Sequence, residues 1–149
     1  MKRLYPEQPV VGVGAIIIKN RQIVLIKRGN EPSKGKWTIP GGLVELSESP
    51  ETAVIRETEE ETGVEAINPQ LIDVVSNVDL DEMGKVKYHY IIIDYLVHVV
   101  SGNAQAASDA QELRFVSFDE VENLDLTTSF RSFFKNNKKR LEKADSYRF

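Results

Sequence analysis

Between Gly41 and Val64 the chain reads GGLVELSESPETAVIRETEEETGV, a glycine turn followed by a short stretch in which acids crowd one side. Ser49 before Pro50 marks a helix start, because serine accepts from free amides and proline is preorganised for the first helical position; Gly63 fits the left-handed stop. The spacing predicts a helix over 50–62. At about 100° per residue, Glu57, Glu60 and Glu61 share a face while Val54, Ile55, Thr58 and Thr62 lie on the other side. Two carboxylates about 6 Å apart repel by roughly 0.7 kcal/mol in water and about 3 kcal/mol at an effective dielectric of 20. Something must compensate them, and a merely solvated acidic face leaves Pro40-Gly41-Gly42 and Arg56 unexplained.

Ile39 before Pro40 is pushed toward an extended conformation, and the two glycines allow a tight backbone path beside the helix. Such a turn can present carbonyls or amides to a ligand. All-oxygen sites of this kind suit Mg²⁺, which takes one or two carboxylates and completes its shell with water and substrate phosphates.

Gly42 is followed after five residues by Glu48, and after seven more by Arg56-Glu57, Thr58, Glu60-Glu61, Gly63 and Val64. In that spacing the segment resembles the Nudix hydrolase box. Thr58 stands where the family has Leu, Ile or Val, and Ser47 where many members carry glycine. The resemblance extends more loosely from Val11 to Phe118. It implies an α+β fold, the Nudix α/β/α sandwich with a mixed β-sheet between helices. It also implies that Glu57, Glu60, Glu61 and the Gly42 carbonyl hold Mg²⁺, with Mn²⁺ as a substitute, and that Arg56 and Glu48 form an ion pair fixing the helix against the turn. The implied reaction is hydrolysis of the diphosphate bond in a nucleoside diphosphate derivative, ADP-ribose-like or a nucleoside triphosphate, releasing a nucleoside monophosphate. Glu57 and Glu112 are the two candidates for the base, and Glu112 is otherwise a strand-end surface charge. A catalytically silent nucleotide-binding or sensor module on the same scaffold is the rival reading. The flanks, KGKWTIPGG and the small-residue loop before Glu112, look more like ADP-ribose or nucleoside triphosphate hydrolases than coenzyme A ones.

Composition narrows the alternatives. At 149 residues, 41% apolar and 28% charged, a single domain over 1–149 is the default. A formal charge of -4 argues against a polymeric nucleic acid as substrate. The chain has no cysteine, and His89 and His98 alone cannot make a zinc site, so metal chemistry must run on oxygen. No stretch approaches 18 consecutive apolar residues and the N-terminus lacks a signal-peptide core, so no membrane partner and a cytoplasmic location are expected. The expected partner is a small nucleotide, with a homodimer left open.

Along the chain, Val10 to Ile18 and Gln22 to Lys27 read as neighbouring antiparallel strands joined by Lys19-Asn20-Arg21. Arg28 closes the second, either as a surface charge or, by the family resemblance, as a phosphate contact. Lys36 to Ile39 is a short strand whose Trp37 either stacks a base or packs the sheet. Leu71 to Val78 and Val86 to Val100 form a second hairpin, on whose return strand His89 is more often a packed or exposed residue than a base. Ser101 to Gln111 reads as a flexible loop, Leu113 to Phe118 as a strand, and Asp119 to Asn123 as a helical turn capped by Asp119. Thr127 to Lys143 has Phe130, Phe133, Phe134 and Leu141 at helical spacing, with Lys135, Lys138, Lys139 and Arg140 outward.

Overall fold

The structure, a computed structural model, describes residues 2–147. The predicted hairpin from Val10 is the first departure. The apolar run divides: β1 (Val10–Ile16) pairs in parallel with β7 (Val86–Ser101) and antiparallel with β5 (Gly41–Leu43), whereas only β2 (Ile18–Lys19) pairs with β3 (Gln22–Arg28). A continuous β-branched run carries no mark of where a strand passes from one sheet to another.

Two four-stranded sheets result. One has the order β5-β1-β7-β6, with β6 spanning Glu65–Leu80; it is mixed, since β1 and β7 alone run parallel. The other is built on β3, which takes β8 (Ala110–Ser117) along one edge, and β2 and β4 (Trp37–Thr38). Alternation along the first strand then distributes the core. Val13, Ala15 and Ile17 pack with Ala53 and Val54 of helix α1 (Pro50–Thr62), while Ile16 and Ile18 pack with Phe130, Phe133, Phe134 and Leu141 of helix α2 (Thr128–Leu141). The helices therefore cover opposite faces of the strand layer, and the α/β/α arrangement holds.

Local signals explain most element ends. Ser49 Oγ accepts from the Thr52 amide, and Gly63 closes α1 with φ of 74°. Thr58 is fully buried, and its hydroxyl donates to the Val54 carbonyl at 2.6 Å, so threonine fills an apolar position without leaving an unpaired oxygen. Ser47 adopts φ of 71°, the left-handed conformation in which glycine is at ease. Strand β6 begins six residues earlier than its apolar run, because register shifts around Asn68 and Pro69 absorb residues that read as a turn. The predicted Asp119 cap is corrected: a 3₁₀ turn at Val121–Asn123 follows Glu120, with no side-chain cap. Trp37 is buried, with the Arg114 guanidinium 5.0 Å from its ring centre, which assigns it to packing. His89 pairs with Val78, and neither is among the residues lining the cavity described below. Among the described residues no helix is long and apolar enough to cross a membrane.

One charge in this core is unusual. Asp94, at the middle of β7, is 3% exposed, and its Oδ1 has no hydrogen-bond partner. It lies over Gly14, where any Cβ would collide with it. Burial, with a smaller contribution from Asp73, pushes its carboxyl up to about 8 from an ordinary 3.8. Between those values the folded protein holds a proton that the unfolded chain has lost, so Asp94 makes stability fall as pH rises, by about 1.4 kcal/mol per unit, and levels off above the upper value. Urea unfolding at pH 5 and pH 8 is expected to show Asp94→Asn losing less stability across that interval than the wild type. An identical loss in both proteins would remove Asp94 as the cause.

Candidate active site

The turn and the helix meet through Arg56. Its Nε donates to Glu48 Oε2 at 2.7 Å and Nη2 to Glu48 Oε1 at 2.8 Å, a bidentate pair. Nη2 also donates to the Leu43 carbonyl at 3.1 Å, and Nη1 to Glu57 Oε1 at 2.8 Å. Arg56, with the Glu45 amide as a second donor, holds the Glu48 carboxyl down to about 2. The same guanidinium therefore joins the glycine strand, the loop after it and the acidic face of α1.

Those acids differ in surroundings. Glu60 lies on the exposed side, 3.3 Å from Arg56 Nη1. Glu57 is folded inward over Gly42, and a Cβ on that glycine would overlap its carboxylate. Burial raises Glu57 above the usual carboxylate range, against the pull of Arg56. Glu61 is 7% exposed and accepts from the Gly41 amide at 3.3 Å. Burial first, then the neighbouring Glu57, pushes it up to about 8. Two carboxylates sunk beside each other, the deeper with one long amide bond, are an electrostatic arrangement that a cation relieves.

They line one wall of a cavity of about 620 Å³ between the two sheets. Gly41 and Gly42 line it too, as does Arg28, whose Nε donates to the Pro32 carbonyl at 2.7 Å. Asp109 also reaches the cavity, and sequence reading missed it. It lies in the connection after β7, which is held in place: the Gln105 and Ala107 amides donate to the Thr62 and Glu61 carbonyls, each at 3.0 Å, and the Gly29 amide donates to the Asp109 carbonyl at 3.0 Å. The pairing of Arg28 with Ala110 sets Asp109 beside Gly29, a signal that exists only once the β3–β8 register is known. Glu112, one of the two candidate bases, is placed opposite Lys27 on β8; its Oε2 accepts from Arg114 Nε at 2.8 Å, and it does not line the cavity.

Among the described residues no three His, Asp or Glu side chains converge as a ready-made metal cage. The donor set nonetheless fits a hard divalent cation: Glu57 and Glu61 are neighbouring carboxylates, half-buried and buried, Glu57 has to share the Arg56 guanidinium with Glu48, and the adjoining glycine strand is bare of side chains. Gly42→Ala is expected to displace Glu57 and cut turnover by about 10- to 100-fold, the usual range for disturbing a metal ligand's support. Its melting temperature should drop less than that of a variant lacking Arg56. Full activity in Gly42→Ala would show that the position of Glu57 is irrelevant.

A mixed sheet between two helices, with a glycine strand and an Arg-Glu helix flanking an acidic cavity, is the arrangement of a Nudix fold. The NUDIX domain model matches residues 8–136, and the chain belongs to the Nudix hydrolase family. Within that family it is a MutT-like pyrophosphohydrolase. It is 41% identical over 122 residues to an ADP-ribose pyrophosphatase of Methanocaldococcus jannaschii, covering 82% of this chain and 69% of that one. A MutT NUDIX hydrolase from Burkholderia pseudomallei superposes with a TM-score of 0.74 at 35% identity, covering 87% of this chain and 98% of that one. A MutT protein from Methanosarcina mazei superposes with a TM-score of 0.75 at 26% identity, covering 93% and 99%.

Proposed function

We propose that the protein is a Mg²⁺-dependent hydrolase of nucleoside diphosphate derivatives, with ADP-ribose as its first substrate, acting as one domain over 1–149 on free nucleotides in the cytoplasm. The observation that carries this reading is a single cavity with Glu57, Glu61 and Asp109 beside Arg28. The archaeal ADP-ribose pyrophosphatase, at 41% identity, supports the choice of substrate.

In this reading Glu57 and Glu61, with Glu60 from the exposed edge and the Gly42 carbonyl, hold the divalent ion. When bound, that ion neutralises diphosphate oxygens and acidifies a water. Arg56 acts as a positioning residue, fixed by Glu48, that keeps Glu57 turned inward. Arg28 binds phosphate oxygens. An inward carboxylate, Glu57 or the loop-borne Asp109, accepts a proton from the attacking water; Glu112, tied to Arg114 on the surface, is the remaining alternative. Water oxygen bonds to one phosphorus as that same phosphorus loses its bond to the bridging oxygen, which departs on the other phosphate, and ADP-ribose yields AMP and ribose 5-phosphate.

The test is a screen of ADP-ribose, nucleoside triphosphates, dinucleoside polyphosphates and coenzyme A with Mg²⁺ or Mn²⁺, products separated by chromatography. ADP-ribose should be turned over fastest, with activity abolished by chelation. Absence of metal-dependent nucleoside monophosphate release from every compound would leave a silent nucleotide-binding module instead.

A further inference from the structure

The acids and Arg28 account for only part of the cavity. Four residues along β1 from Gly14, roughly 13 Å at strand spacing, Val10 pairs with Tyr90 of β7. Tyr90 lines the cavity together with Asn77, Asp79 and Ile92, and Asn77 is its register partner across β6 and β7. The Tyr90 hydroxyl is shielded from solvent and has no hydrogen-bond partner. Its ring is fixed by stacking on Tyr88, with centroids 6.3 Å apart. A buried hydroxyl without a partner is costly, and such groups are retained where a ligand or an ordered water completes them.

The chemistry around it selects what that ligand presents. Asp79 and Arg3 both line this part of the cavity, so their formal charges cancel and leave no surplus positive charge to draw a further phosphate. Ile92 offers an apolar seat, and Gly12 beside it adds no side chain, because a Cβ there would come within 3.3 Å of the Gly42 carbonyl. A phenol and a carboxamide, directly opposite each other on two paired strands and adjacent to an apolar patch, match the polar edge and flat face of a heteroaromatic ring.

We infer that Tyr90 and Asn77 form the base-reading end of the cavity, hydrogen-bonding the edge of a nucleobase seated on Ile92 while the diphosphate lies toward Glu57, Glu61 and Arg28. This rests on the nucleotide reading above and assigns its specificity to residues outside the Gly41 to Val64 segment. Gly12 matters to it as an absence of bulk.

Isothermal titration with AMP and with ribose 5-phosphate, both in Mg²⁺, separates this end from the phosphate end without any turnover. Tyr90→Phe, which keeps the ring and removes one oxygen, is expected to weaken AMP about 3- to 10-fold, the loss of one hydrogen bond, and to leave ribose 5-phosphate unchanged. Asn77→Ala should repeat the pattern, and thermal melts of both variants verify the fold. Equal weakening of both probes, no change in either, or no AMP binding by the wild type would overturn the inference. Hydrolysis of ADP-ribose by a Tyr90→Phe enzyme with unaltered AMP affinity would overturn it while the hydrolase reading stood. Tyr90-dependent AMP binding in a wild type that hydrolyses nothing would sink the hydrolase reading and keep the base-reading end.

Discussion

Glu61→Gln is expected to lower kcat by at least about 100-fold, at or beyond the upper end of the losses seen when only a metal ligand's supporting contacts are removed, while raising the melting temperature of the metal-free protein. The two effects share one cause. Glu61 is nearly buried, with Glu57 as an acidic neighbour, so its charge is unfavourable until a cation arrives. Glutamine keeps the shape and the contact with the Gly41 amide, and removes the charge. The wild type should gain thermal stability on addition of Mg²⁺, and the variant should gain far less. Calorimetric melts with and without Mg²⁺, run beside a Mg²⁺ titration of activity, measure both halves. Near wild-type turnover at low Mg²⁺ would rule out a metal role for this carboxylate.

Arg56→Ala should damage fold and activity together. The variant loses both bonds to Glu48 and those to the Leu43 carbonyl and Glu57, which detaches the loop before α1 and frees Glu57 to swing outward. The Arg56 side chain is 24% exposed, so water softens the loss; a fall in melting temperature on the order of 5 °C is expected, with turnover down by more than about tenfold. Arg56→Lys should recover only part, because one ammonium cannot satisfy both oxygens of Glu48. Glu48 sharpens the test through pH. Its folded value of about 2 lies below the ordinary 4.5, so the pair stabilises the protein above the upper value and ceases to as pH falls through the lower one. The wild-type advantage over Arg56→Ala should therefore shrink in acid. A constant gap from pH 7 to pH 2.5 would place the effect elsewhere than in the ion pair.

Legibility in the sequence followed the range of the interactions. Helix α1 was readable at both ends because its signals are local: Ser49 and Pro50 start it, and Gly63 stops it. The pairing of Arg56 with Glu48 was readable from the match to a known spacing. Long-range pairing was not readable. Nothing in the apolar run from Val10 to Ile18 says that the strand leaves one sheet for another, and nothing in SGNAQAASDAQ says that its backbone will be tied to the end of α1. Asp109 was hidden for the same reason, being a small acid in a stretch without period, brought to the cavity by a register set on β3 and β8. The unpartnered oxygens of Tyr90 and Asp94 were hidden because alternation predicts only which face of a strand a residue takes, and says nothing about what stands opposite.

The tie between α1 and the connection after β7 has a thermodynamic consequence. The Glu61 and Thr62 carbonyls hold the Ala107 and Gln105 amides, so the residue proposed to bind metal and the segment carrying Asp109 share backbone bonds. If metal favours the ordered connection by some factor, the ordered connection tightens metal by that same factor, because coupling between sites is reciprocal. Amide hydrogens at Gln105 and Ala107 should then exchange more slowly once the cavity is filled. Gln105→Pro, which removes one of the two bonds, would weaken the metal through the loop alone, by at most the factor by which the metal had slowed the loop's opening.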